Sequence, residues 1–103
     1  MSIVQDHQNV FILDIEYIVP IETVEPLIAP HMDFIAEQYA KGHFIVSGPK
    51  VPRSGGVILA RSSSRAALEE IIALDPFTIH NVATYKVTEF IPRTAIEGFK
   101  QTT

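Results

Sequence analysis

From residue 10 to residue 19 the chain alternates in polarity. Phe11, Leu13, Ile15, Tyr17 and Val19 fall on one side of an extended strand, by its period of two, and Ile12, Asp14, Glu16 and Ile18 on the other. The first side reads as core-facing and the second as mixed. Pro20 ends the strand, because it has no N–H to give the ladder. The period then lengthens. At 100° per residue, Leu27, Ile28, His31, Phe34, Ile35 and Tyr39 share one stripe with Asp33 and Glu37 opposite, which predicts an amphipathic helix reaching Ala40. Its start is at Thr23 or at Ala29. Pro26 and Pro30 do not both suit a regular helix interior, so the favoured reading puts Pro30 at the first helical position and a separate turn before it. Lys41 and Gly42 supply a cation for the last turn and a left-handed stop.

Residues 43–47 and 57–61 read as two short strands joined across 49–56, a segment with two Pro and two Gly, and their pairing predicts a hairpin with a long loop. Ser62, Ser63 and Ser64 offer N-caps for a second helix to Leu74, with Ala67, Leu68, Ile71 and Ile72 inward and Arg65, Glu69 and Glu70 outward. Asp75-Pro76 ends it, since a residue before proline avoids the helical region. Residues 77–82 form a linker with room for one helical turn, 83–91 a last strand, and 92–103 a polar tail. The order β-α-β-β-α-β predicts an α+β, ferredoxin-like fold: a four-stranded antiparallel sheet with two helices on one face. The other face holds Ile12, Ile18 and further β-branched or aromatic residues, too apolar for open water, which predicts a homodimer packed sheet to sheet.

The chain has 103 residues, 47% apolar and 19% charged, with a net charge of -4 and no cysteine. That length predicts a single domain over 1–103, its core at about 10–91. Zero cysteine removes disulfides, thiolate metal sites and thiol nucleophiles. Eight Lys and Arg, scattered singly in an acidic chain, argue against nucleic acid. The first residues show neither a basic nor an apolar leader, and no apolar run approaches the ~18 residues of a membrane span, so the expectation is a cytoplasmic protein without a membrane partner.

His31 stands mid-stripe, facing the sheet. In the first turn of a helix the dipole would favour its neutral form, as a base requires; by residue type and position alone, a core histidine bonded to a backbone carbonyl is the commoner arrangement. Asp75 before Pro76 is ordinarily a helix stop, yet its place lets it reach His31 across the groove between the helices. Asp14 and Glu16 share a strand face, more often a wet face or cross-strand ion pairs than an acid–base couple. His43 and His80 read as surface or interface groups. Four histidines without ligand spacing predict no metal site. Arg53-Ser54-Gly55-Gly56 has the look of an anion-cradling nest, though most such turns are simply turns. Nucleotide-binding and hydrolase motifs do not occur in the sequence.

With His31 at the start of the first helix, Lys41-Gly42, Phe44-Ile45-Val46-Ser47-Gly48-Pro49, Gly55-Gly56 and Asp75-Pro76-Phe77, in that order and spacing, the chain resembles the YciI-like family of small dimeric α+β barrels over about 10–91. The resemblance implies a His–Asp catalytic centre at His31 and Asp75 and no cofactor. It also implies a small-molecule substrate, held by Ser47, Gly48 and Pro49 of the shared motif, and the apolar sheet face with Tyr17, Phe44 or Tyr85 is expected to hold its ring. Ser47 stands where the family often has glycine, and 78–81 replaces a stretch of small residues, which makes His80 a further pocket candidate. The activity implied is loss of HCl from a chlorinated hydroxyhydroquinone in aromatic degradation. Relatives by fold include muconolactone isomerase and cofactor-free quinone-forming monooxygenases, so an isomerase is one alternative and a non-catalytic dimeric binding or regulatory module another. A third is a small subunit that binds a partner protein through its tail. Ligand occupancy beside His31 separates enzyme from module.

Overall fold

Alternation at the start of the chain becomes strand β1, Asn9–Tyr17, in the computed structural model, which describes residues 2–100. Then follow α1 (Ile21–Ala40), β2 (Phe44–Pro49), β3 (Gly55–Ser62), α2 (Arg65–Ile72), α3 (Pro76–Ile79) and β4 (Ala83–Phe90). The four strands lie in the order β2-β3-β1-β4, every neighbouring pair antiparallel. This is the ferredoxin-like α+β arrangement, with β2 and β3 forming the expected hairpin.

Register decides which side chains meet. Phe11 stands opposite Ala60, Leu13 opposite Ile58, and Ile15 between Gly56 and Tyr85. These positions face the helices, and Phe11, Leu13, Ile15, Ile58 and Ala60 join Val24, Phe34 and Ile35 of α1, Leu68 and Ile72 of α2 and Phe77 of α3 in one buried cluster. On the outer face Ile12 pairs with Leu59 and Asp14 with Val57, and Leu59 pairs onward with Val46. Val46 and Val57 are 55% and 38% exposed, so that face keeps an apolar strip in water.

The start of α1 corrects the sequence reading. The helix begins at Ile21, directly after Pro20, and carries both Pro26 and Pro30 in its interior. Spaced four apart, the two prolines lie on one face, and that face is exposed. The carbonyls that lose an N–H partner there belong to Glu22 and Pro26, both exposed residues, so the missing bonds fall on the solvent side of the helix. Burial of Val24 and packing of Leu27 and Ile28 on the core offset the remaining cost. His31 is therefore mid-helix, beyond the first turn within which the N-terminal dipole acts.

Ser64 caps α2 by accepting the Ala67 N–H at 3.1 Å. Asp75-Pro76 has two tasks, since α2 stops at Ile72 and Asp75 caps the separate one-turn α3. The predicted tail is tied down over its described part. Ile3 and Val4 donate to Gly98 and Phe99, Val4 bridges to Lys100 and is fully buried, and the Arg61 guanidinium binds the carbonyls of Ile3 and Gly42. The last three positions of that tail lie outside the described residues. Among the described residues no helix is long and apolar enough to cross a membrane.

Candidate active site

Asp75 is fully buried, and its carboxylate is held from three sides. As N-cap of α3, Oδ1 accepts the Phe77 backbone N–H at 2.9 Å. The same oxygen lies 2.7 Å from Nδ1 of His31, and Oδ2 accepts the Tyr85 hydroxyl. A carboxylate that already accepts two donors leaves one consistent assignment for the third, in which His31 Nδ1–H donates to it. The imidazole thus turns Nε2 away from Asp75. Its ring stacks on Phe77 with centroids 3.8 Å apart and planes 4° from parallel, and its side chain is only 12% exposed. Three elements set this geometry: α1 brings His31, the turn before α3 brings Asp75, and β4 brings Tyr85 from beneath. Burial, then the charge and hydrogen bond of Asp75, hold the Tyr85 phenol far above its ordinary pKa, so that it remains a donor.

His31 forms part of the wall of a cleft of about 460 Å³ between α1 and the β2–β3 end of the sheet. Most of the wall is apolar: Ile15, Ile28, Met32, Ile35, Ile58 and Phe77. Tyr17 also lines it and meets Phe77 edge to face at 5.9 Å. Ser47, Gly48 and Pro49 form the sheet-side rim together with Arg53, Gly55 and Gly56. The Ser47 hydroxyl is 2.7 Å from that of Tyr39. An imidazole in the wall of a largely apolar cleft suits proton transfer on a ring held between hydrophobic side chains.

The cleft gathers His31, Tyr17, Ser47, Gly48 and Pro49, with Asp75 directly behind His31. It does not gather Phe44, Tyr85 or His80. Phe44 points into the core, edge to face with Phe34 at 6.0 Å, because the residue opposite it is the buried Ala60. Tyr85 is turned toward Asp75. His80 is the exposed C-cap of α3, carried past the cleft by the single turn of helix. Two residues the sequence did not single out for the site now belong to it. Phe77 follows Asp75 by two positions, the spacing at which an N-cap carboxylate takes a backbone N–H and fixes the next side chain. Arg53 carried a weak signal in its Gly-Gly turn. Asp14 pairs with Lys50 at 2.5 Å and takes no part. Among the described residues no three His, Asp or Glu side chains group as a metal site requires.

The YCII-related domain matches residues 1–91. The chain belongs to that family. No curated protein matches it in sequence. Among solved structures, this YCII-related chain is similar in fold to 5-chloro-2-hydroxyhydroquinone dehydrochlorinase (TftG) from Burkholderia phenoliruptrix AC1100, in complex with 2,5-dihydroxybenzoquinone. The TM-score is 0.66 at 16% identity, over 79% of this chain and 92% of that one. It is also similar to SnoaB, a cofactor-independent oxygenase from Streptomyces nogalater, with a TM-score of 0.50 at 14% identity over 87% and 97% of the two chains. At these identities the likeness is one of fold, and it agrees with the strand order found here.

Proposed function

We propose that this YCII-related protein is a cofactor-free enzyme that uses His31 to move a proton on a phenolic or quinoid ring, with elimination of HCl from a chlorinated hydroxyhydroquinone as the reaction. The observation that carries this reading is the 2.7 Å contact between His31 and a fully buried Asp75 at the wall of an apolar cleft. Nε2 takes the proton of a ring hydroxyl. The imidazolium formed is stabilised by the Asp75 carboxylate, which also holds the tautomer. Tyr85 and the Phe77 N–H keep that carboxylate from turning. Tyr17, Phe77 and the isoleucines hold the ring and keep water out. One hydroxyl proton moves to the carbon bearing chlorine. A second goes to Nε2 as chloride leaves with the C–Cl electron pair, and the ring is left as a hydroxyquinone. Atoms balance as HCl, and no oxidant is needed. Fold likeness to a dehydrochlorinase whose structure holds a dihydroxybenzoquinone supports the choice of ring. The apolar strip of the outer sheet face supports a homodimer, and cytoplasmic location remains part of the proposal.

The test is chloride release from 5-chloro-2-hydroxyhydroquinone by the wild-type protein and by His31→Ala. Catalytic chloride release by the wild type, lowered about 10²–10⁴-fold in the variant, is the expected result. Equal release by both proteins, or none above the buffer rate by either, rejects the assignment.

A further inference from the structure

Arg53 is the one residue with a cationic side chain at neutral pH among those described that line the cleft, and it has no hydrogen bond or ion pair there, while Asp and Glu are absent from the lining. Four other cations are engaged: Lys41 with Glu37, Lys50 with Asp14, Arg65 with Glu69, and Arg61 with two carbonyls. Arg53 is thus an unpaired cation at a cleft whose described lining holds no acid. The loop that carries it is held at both ends. The Lys50 N–H donates to Gly55 and the Tyr17 N–H to Ser54, each at 3.0 Å. Gly55 lies so close to β1 that a Cβ there would sit 1.8 Å from the Ile15 carbonyl oxygen. Arg53 is thus presented from the sheet side of the cleft, and His31 enters it from α1.

We propose that Arg53 is a subsite for a carboxylate, so that among the chlorinated hydroxyhydroquinones acted on by His31 the preferred substrate carries an acid group on its ring, and the ring without one binds more weakly. This rests on the reading of the cleft as a ring site. A planar, singly charged carboxylate matches the two-pronged guanidinium. One cation in an otherwise apolar cleft suits a single negative charge better than a phosphate dianion, which calls for several donors. The subsite selects acidic ring compounds over neutral ones of the same shape.

Two probes separate the possibilities: hydroquinone and 2,5-dihydroxybenzoate, which differ by the carboxylate. Each is titrated into the wild type, Arg53→Gln and Arg53→Lys by calorimetry, with His31 and Phe77 resonances followed by NMR. The wild type is expected to bind the acid about tenfold more tightly than hydroquinone, the worth of one charge-assisted bond at a half-open site. Arg53→Gln is expected to lose that preference while keeping its affinity for hydroquinone, and Arg53→Lys to retain part of it. Equal affinities in the wild type, with His31 and Phe77 shifting for both probes, overturn the carboxylate subsite and leave the ring site standing. A preference that survives in Arg53→Gln also overturns it. Binding of the acid that moves Arg53 but not His31 or Phe77 keeps the anion site and rejects the ring reading. Failure of both probes to bind overturns both.

Discussion

Replacing Tyr85 by Phe removes one oxygen and strands another. The Tyr85 hydroxyl donates to Oδ2 of Asp75, a side chain with no exposure to water, and the contacts found leave no other donor to that oxygen. A buried acceptor left unpaired costs about 1–3 kcal/mol, toward the upper end when it is charged. In a domain of this size each kcal/mol lowers the melting temperature by about 4 °C or more, so Tyr85→Phe should melt about 4–12 °C below the wild type at equal protein concentration. The carboxylate also gains freedom to turn from His31, so kcat should fall, by roughly tenfold, with KM little changed, because Tyr85 does not touch the cleft. The alkaline limb adds a signature that a loosened core would not show. The phenol's pKa is raised in the folded state, so the unfolded chain loses this proton first. Stability from this group is whole below the ordinary tyrosine value of about 10 and is lost as pH rises above it, at up to about 1.4 kcal/mol per pH unit. The wild type should show this decline above pH ~10, and Tyr85→Phe should lack its share. Thermal melts of both proteins between pH ~8 and ~11, with kcat at neutral pH, make the comparison. Equal melting temperatures with parallel alkaline limbs would refute the placement of Tyr85 under Asp75.

Asp75→Asn keeps the shape but offers an amide where His31, Phe77 and Tyr85 all donate; kcat should fall by about 10²-fold or more with the oligomeric state unchanged by light scattering, and wild-type turnover would show that Asp75 only caps α3. Gly55→Ala places a Cβ against the Ile15 carbonyl, so the loop must move; a loss of about 3 kcal/mol or more in denaturant unfolding is expected, and a neutral change would contradict the close approach of β3 to β1. Light scattering at low micromolar concentration should find a dimer, closed over the strip that includes Val46 and Val57 and burying on the order of 2,000 Å²; a folded, soluble monomer would contradict it.

The sheet was readable because alternation is a local signal. Phe11, Leu13 and Ile15 could face only one way once residues 10–19 were extended, and Pro20 closed that strand, whereas Gly48-Pro49, read as a stop after residue 47, continues β2 and pairs with β3. The start of α1 was not readable in the same way. Two prolines argue against a helix interior unless they share a solvent-facing side, and their spacing of four, visible in the sequence, meets that condition only if burial on the opposite side, from Val24 to Ile28, holds the helix together. His31 and Asp75 stood out by stripe position and by the Asp-Pro turn, but their contact depends on α3 being separate from α2, which a single turn of helix does not announce. Tyr85 was expected to hold the substrate ring. That it turns to Asp75 and not to the cleft follows from the depth at which Asp75 is buried, which no local pattern encodes. Arg53 stood out only as part of a nest-like turn, because whether a loop cation is paired depends on where the acids lie in space.

The most direct test of proton transfer by His31 is the state of its two ring nitrogens, read by long-range ¹H–¹⁵N NMR in the free protein and after addition of the chlorinated hydroxyhydroquinone's ring analogue, 2-hydroxyhydroquinone. Expected are a proton on Nδ1, shared toward Asp75, a bare Nε2 in the free protein at the pH of turnover, and a proton gained by Nε2 when the ring binds. A free protein whose Nε2 already carries the proton, or a His31 whose nitrogens do not respond to the bound ring, would contradict the role given to the His31–Asp75 pair.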